Sequence, residues 1–277
     1  MLFRSALVDV ERITHVRDRR GNDPGEDRAD CYSMNFVERG TFALQMRKRR
    51  WTIGVHEIFV TAPDMDYRCR EIDRRRGDAP GACLDVRFSD SARDAIEERA
   101  VAGLREHLPV VPVNNRRAYL QRRLARYLTN AGNPLAVDLI AGELLHSTFA
   151  DDGAPRRRYT TKQLEWYGRR IDESRRMLHE DYSACHTLDR LARNAGMSAY
   201  HFARIFRELA GVPPHRYLIR RRLEAAAERL RDGASVTGVC YEVGFGNLSH
   251  FIHMFRACYG IAPSRWRSAG PAREANG

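Results

Sequence analysis

Two hexapeptides, HFARIF at 201–206 and HFIHMF at 250–255, constrain this chain more than any other feature. Both read His-Phe-two residues-apolar-Phe, and they lie 49 positions apart. Two amphipathic helices can echo one another by chance, so the flanks decide. At the same offset Arg207 matches Arg256, Gly211 matches Gly260, Pro214 matches Pro263, Arg216 matches Arg265 and Tyr217 meets Trp266. Upstream the offset becomes 48, pairing Leu188 with Val236, Leu191 with Val239, Ala192 with Cys240 and Gly196 with Gly244. The one-residue slip falls in a turn, where insertions are tolerated. Matches that run through a helix, a turn, a second helix and its exit exceed what amphipathicity produces. The unit is duplicated.

Each copy, about 187–211 and 235–260, has the form of a helix-turn-helix. Thr187 and Ser198 stand where N-caps belong, and Gly196 and Gly211 where helices end. Between the copies, Pro214 to Arg231 reads as a long helix entered through proline and closed by Gly233. In the second helices Phe202, Ile205, Phe206 and Leu209 share one face, as do Phe251, Met254, Phe255 and Cys258. Three-to-four spacing of this kind marks core positions. The opposite faces carry Ser198, Tyr200, Ala203, Arg204 and Arg207, then Asn247, Leu248, Ser249, Ile252, His253 and Arg256. If such a face entered a major groove, Arg204 would be its best base reader, because arginine grips guanine with two bonds. Arg207 and Arg256, one turn further on, would meet phosphate or acids within the protein.

Charge supports that direction. Residues 1–154 hold 25 basic and 24 acidic side chains, and residues 155–277 hold 22 and 12, so nearly all of the +11 lies in the C-terminal part. A basic module beside a neutral one is the footprint of a nucleic-acid binder, although a solvated arginine surface has the same composition. The stretch DDGAPRRR at 151–158 coincides with the charge step and is the expected linker, giving domains at 1–154 and 155–277.

The N-terminal part reads differently. CYSMNFVERG, TFALQMR, WTIGVHEIFVTAP, YRCREI and ACLDVRF, within 31–88, are short runs of β-branched and aromatic residues broken by Gly, Pro and Asp. They suggest a small antiparallel barrel or sandwich. From Ser91 the period becomes helical, in segments over 91–108, 115–130 and 136–150. No apolar run reaches the length of a membrane span, and the N-terminus lacks the apolar core of a signal peptide. Six cysteines without a close CxxC pair fit reduced thiols, and so a cytoplasmic setting.

The C-terminal segments LARNAGMSAYHFARIFRELAGVPPHRYLIRRRLEAAAERL and SVTGVCYEVGFGNLSHFIHMFRACYGIAPSRWR resemble the AraC/XylS family of bacterial transcription regulators, over about residues 167–267. The resemblance implies two helix-turn-helix motifs placed by the joining helix in successive major-groove turns of double-stranded DNA. It puts the base-facing places on Tyr200, Ala203 and Arg204, then on Leu248, Ser249, His250, Ile252 and His253. His253 stands where the family often has arginine, a stronger partner for phosphate and guanine. The first motif is therefore expected to discriminate more than the second. More weakly, the N-terminal part is similar to the cupin-like sensor domain of these regulators. The implied architecture is α+β: a cupin-like β-barrel with accessory helices, then an all-α domain.

A small organic effector, a homodimer formed through the helices between 115 and 150, and RNA polymerase if the protein activates, are likewise what the resemblance implies. Nothing in the sequence names the effector or separates activator from repressor. Metal-binding cupins group several histidines, whereas this region has only His15 and His56, with Asp66 and Tyr67 after the proline, so no metal, cofactor or catalytic residue is expected. Two rivals stay open: a cupin-type metalloenzyme fused to a DNA-binding module, and a DNA binder whose N-terminal domain only dimerises. Cys31, Cys69 and Cys83 are candidate redox or metal sensors or plain core thiols.

Overall fold

The computed structural model describes residues 1–14, 27–75, 77–90, 110–129, 134–149 and 159–268. It divides into two compact regions, Met1–Thr160 and Thr161–Gly277. The expected linker at 151–158, the expected helix at 91–108 and His15 lie outside the described residues. Among the described residues no helix is long and apolar enough to cross a membrane.

Among the described residues the N-terminal region contains ten strands: β1 (Phe3–Arg4), β2 (Val8–Thr14), β3 (Asp27–Arg28), β4 (Ser33–Arg39), β5 (Thr41–Met46), β6 (Arg49–Ile53), β7 (Ile58–Thr61), β8 (Asp66–Ile72), β9 (Ala82–Phe88) and β10 (Val110–Val111). They form a six-stranded sheet, β1-β2-β9-β4-β7-β10, and a four-stranded sheet, β3-β8-β5-β6. Alternation assigns the faces. On β9, Cys83 joins Val37 and Phe59 in one apolar cluster with Phe42, Leu44, Ile53 and Cys69 of the smaller sheet, so the two sheets face each other. The other face of the larger sheet presents Met34, whose Sδ receives the Thr148 hydroxyl at 3.6 Å. Thr148 belongs to α2 (Pro134–Phe149), which follows α1 (Asn115–Thr129).

Two expectations are corrected here. Strands begin at Phe3, not in the thirties; the alternation Val8-Asp9-Val10-Glu11 puts both valines in the core. WTIGVHEIFVTAP is two strands, because the chain turns at Gly54–Glu57 with His56 at φ 74°. Of the barrel or sandwich expected, the described residues show two facing sheets.

His56 itself is committed to structure: its Nδ1 lies 3.2 Å from Gln121 Oε1, and Gln121 Nε2 donates to its carbonyl at 2.9 Å, pinning α1 to the turn. Tyr67 packs edge-on against Phe59 at 5.0 Å. Cys69 and Cys83 are buried, and burial pushes the Cys83 thiol far above its ordinary range.

The described residues of the C-terminal region form helices only: α3 (Thr161–Glu180), α4 (Leu188–Asn194), α5 (Ala199–Ala210), α6 (Pro214–Arg231), α7 (Val236–Glu242), α8 (Leu248–Tyr259) and α9 (Pro263–Ser268). On α3, Leu164, Ile171 and Leu178 fall seven apart and are buried, the stripe of a helix lying on a core. The joining helix α6 starts with Pro214 in its first turn, where a missing N–H costs nothing. A second core gathers Ile219, Leu223, Leu230, Val239, Phe251 and Phe255 from α6, α7 and α8. Full burial of phenylalanines such as Phe202, Phe206, Phe251 and Phe255 stabilises by about 1.5–3 kcal/mol each.

Candidate nucleic-acid interface

Caps and glycines build both motifs the same way. In the first, Thr187 Oγ1 accepts from Arg190 N at 3.2 Å and starts α4. Gly196, at φ 65°, reverses the chain, and Ser198 Oγ accepts from His201 N at 3.3 Å to start α5. In the second, Ser235 Oγ accepts from Gly238 N at 3.0 Å, Gly244 turns at φ 90°, and Asn247 Oδ1 accepts from His250 N at 2.9 Å. Both second helices stop at a left-handed glycine, Gly211 and Gly260, whose N–H reaches back to Arg207 and Arg256 carbonyls respectively. Each side-chain cap satisfies an N–H that the first helical turn leaves without a partner.

The helices then sort their faces. Phe202, Ile205, Phe206 and Leu209 are buried in the first motif, and Phe251 and Phe255 in the second. Tyr200 stands 82% exposed, the most exposed large apolar side chain of the described residues. Ser198, Arg204 and Arg207 are exposed with it, while Ala203 is half-buried. In the second motif Asn247, Ser249, His250, Ile252, His253 and Arg256 are exposed. Arg204 reaches Glu208 one turn along, Nη1 to Oε2 at 3.9 Å, a loose surface pair. Among the described residues no acid pairs with Arg207 or Arg256.

Two assignments change. Leu248, expected to face outward, is half-buried and packs on the second core. At the first helical position a side chain leans back toward the helix start, so this leucine covers the turn. Cys258, expected to be core, is exposed. Tyr259 and Trp266 take its place, stacking at 4.7 Å from each other beside Phe255, with Trp266 Nε1 donating to Ala227 O at 3.1 Å. His201 and His250 also differ. The first lies against Tyr167 at 5.6 Å with its Nε2 buried, whereas the second meets Phe245 edge-on and is exposed.

One set of residues escaped the sequence reading. The repeat extends back into the helix ahead of each motif: RRIDESRRML at 169–178 matches RRLEAAAERL at 221–230 at an offset of 52. Ile171 and Leu178 are buried, as are Leu223 and Leu230. Arg170 Nε donates to Ala195 O at 2.9 Å, at the turn of the first motif. Arg222 Nη1 donates to Gly244 O at 2.7 Å, at the turn of the second. Burial holds the Arg222 guanidinium below its ordinary range. Each motif is therefore three helices, with an arginine from the first clamping the bend between the others. The signal was the pair Arg-Arg-Ile and Arg-Arg-Leu.

Residues 191–269 match a family model described as a helix-turn-helix domain. The transcriptional activator AarP of Providencia stuartii is 34% identical over 82 residues, covering 29% of this chain and 61% of its own length. A Streptomyces lividans protein named an AraC-like transcription regulator is 34% identical over 91 residues, 32% of this chain and 30% of its own. This chain thus spans less than two thirds of either relative. A crystal structure of an AraC family protein from Rhodopseudomonas palustris is 26% identical and covers 36% of this chain and 95% of its own, with a TM-score of 0.34. The C-terminal region is thus similar to helix-turn-helix domains, and the relatives it matches there are named as transcription regulators, one of them AraC-like.

Proposed function

We propose that the chain is a sequence-specific DNA-binding transcriptional regulator of the AraC/XylS type. The observation that carries this reading is the pair of capped helices, α5 and α8, each turning a polar, arginine-bearing face to solvent in the half that holds almost all the net positive charge. Affinity comes from arginine–phosphate contacts and sequence from base edges. Ser198, Tyr200, Ala203, Arg204 and Arg207, with Asn247, Ser249, His250, His253 and Arg256, form the DNA face; Leu248 contributes by shaping the turn. The 18 residues of α6 span about 27 Å at ~1.5 Å per residue, the same order as one turn of duplex. A small organic effector bound in the N-terminal region controls the activity. Leu135 and Leu139, one turn apart on α2 and both 60% exposed, are the surface we assign to a second copy.

The test is selection from a randomised duplex library by the full chain, followed by titration at several salt concentrations. A recurring sequence in two half-sites, with affinity falling steeply as salt rises, is expected. Binding without sequence preference would sink the reading.

A further inference from the structure

Arg222 does more than its counterpart. Its Nη1 holds Gly244 O in the turn of the second motif, while Nε donates to Tyr182 O at 2.7 Å and Nη2 to Ala184 O at 2.9 Å. Tyr182 and Ala184 lie in the segment that leads into the first motif, between α3 and α4. One guanidinium therefore grips both motifs. Arg170 has no such reach: among the described residues, besides Ala195 O, it bonds only the Trp166 carbonyl of its own helix at 3.3 Å and stacks on that indole at 3.6 Å.

The surroundings reinforce the grip. Tyr182 packs on the second core, and its hydroxyl accepts from Arg229 Nη2 at 3.3 Å. Gly244 approaches so closely that a Cβ there would lie 2.5 Å from Ser183 O and 2.9 Å from the Arg222 guanidinium. At Gly196, the matching glycine, a Cβ would meet nothing within 4 Å. Among the described residues, Gly244 is pressed on the backbone of the preceding segment and Gly196 is not.

We propose that Arg222 is a positioning residue which, with Tyr182 and Gly244, fixes the separation and angle of the two recognition helices, and so sets the half-site spacing the chain accepts. The proposal rests on the DNA-binding reading. The helix α6 fixes the coarse distance between motifs, but each motif could still rock about it. One base pair shifts a half-site by about 3.4 Å and rotates it by roughly 34°, since a turn holds ~10.5 pairs. A charged donor fork on three backbone carbonyls resists such rocking, because the bonds are directional and charge-assisted.

The experiment uses the full chain and the duplex it enriches from a randomised library. Three relatives of that duplex are made: one with a base pair inserted between half-sites, one with a pair removed, and one with the second half-site scrambled. The native chain should lose at least tenfold in affinity on either spacing change. Arg222→Gln should bind the parent duplex about tenfold more weakly and discriminate spacings by less than threefold. It should hold the scrambled duplex within twofold of the native chain. Arg222→Lys, with a charge but no fork, should fall between. Undiminished spacing preference in Arg222→Gln would overturn the proposal, as would an equal loss on the scrambled duplex.

A second measurement needs no DNA. With Cys31, Cys185 and Cys258 replaced by serine, spin labels at Arg193→Cys and Ala257→Cys report the distance between motifs. Arg222→Gln should broaden that distance distribution, and an unchanged width rejects the lock. If no duplex is enriched, the DNA-binding reading falls, and the distance measurement still decides the lock.

Discussion

The two helix-turn-helix motifs share a backbone plan and differ in how each is closed. In the first, aliphatic packing finishes the job: Leu209 is fully buried at the end of α5. In the second, the matching Cys258 is exposed, and an aromatic stack of Phe255, Tyr259 and Trp266 seals the core from the next helix. The turns differ as well. Gly196 sits in open space, whereas Gly244 is pressed between Ser183 and Arg222. Two copies of one sequence pattern can therefore keep their bends and phenylalanine pairs while dividing labour between a free-standing motif and a braced one.

The largest expected effect breaks the pattern at its buried end. Leu209→Ala should cost about 2–5 kcal/mol, the range for a leucine cavity, and Cys258→Ala less than about 0.5. Amide hydrogen exchange of α5 and α8 reads the two local losses separately. Equal losses would mean that Cys258 is core after all.

The turns come next. Gly196→Ala should cost about 1–2 kcal/mol, the penalty of a left-handed conformation with a Cβ. Gly244→Ala carries that penalty plus ~1–3 kcal/mol of overpacking, because backbone and not a flexible tip lies in the way. Exchange in α7 and α8 should rise well above that in α4 and α5. A smaller effect at Gly244 than at Gly196 would show that the brace gives way without loss.

How much of this stood in the sequence depends on whether the cause was local. Caps, turn glycines and the three-to-four phenylalanine spacing are set within a few residues, so the two motifs and α6 were legible from 187 onward. The matching of α3 with α6 was not, because four residues separate the loops in length and the shared signal is only Arg-Arg-apolar. Leu248 and Cys258 were misassigned for one reason: periodicity gives a face but not where the core ends along the helix. In the sheets, β1 and β2 were overlooked although Val8 and Val10 alternate with acids, since Arg12 and Thr14 dilute the pattern. Which groups line a ligand site depends on pairing between distant strands, and no local pattern encodes it.

The outer faces give the next contrast. Arg204→Ala should weaken specific binding by ~1–3 kcal/mol and relax one base position, the signature of lost bidentate readout. His253→Ala, at the matching place, should cost less, because imidazole offers no such fork. A base-substitution scan of the enriched duplex checks both. Equal losses across the two half-sites would remove the asymmetry.

The smallest effects separate capping from contact. Ser198 and Asn247 each hold the first turn of a second helix and each faces outward, so alanine at either confounds two roles. Ser198→Ala and Asn247→Ala should each cost about 1 kcal/mol of helix stability. Asn247→Asp is the sharper change. Its carboxylate can still accept from His250 N and favours the positive end of the helix dipole, so stability should hold or rise by a few tenths of a kcal/mol. The same charge would face duplex phosphate, so affinity should drop and the drop should shrink as salt rises. Ser198→Asp makes the matching test on the first motif. If the aspartates preserve both stability and binding, residues 198 and 247 are caps alone, and the DNA face begins at Tyr200 and Ser249.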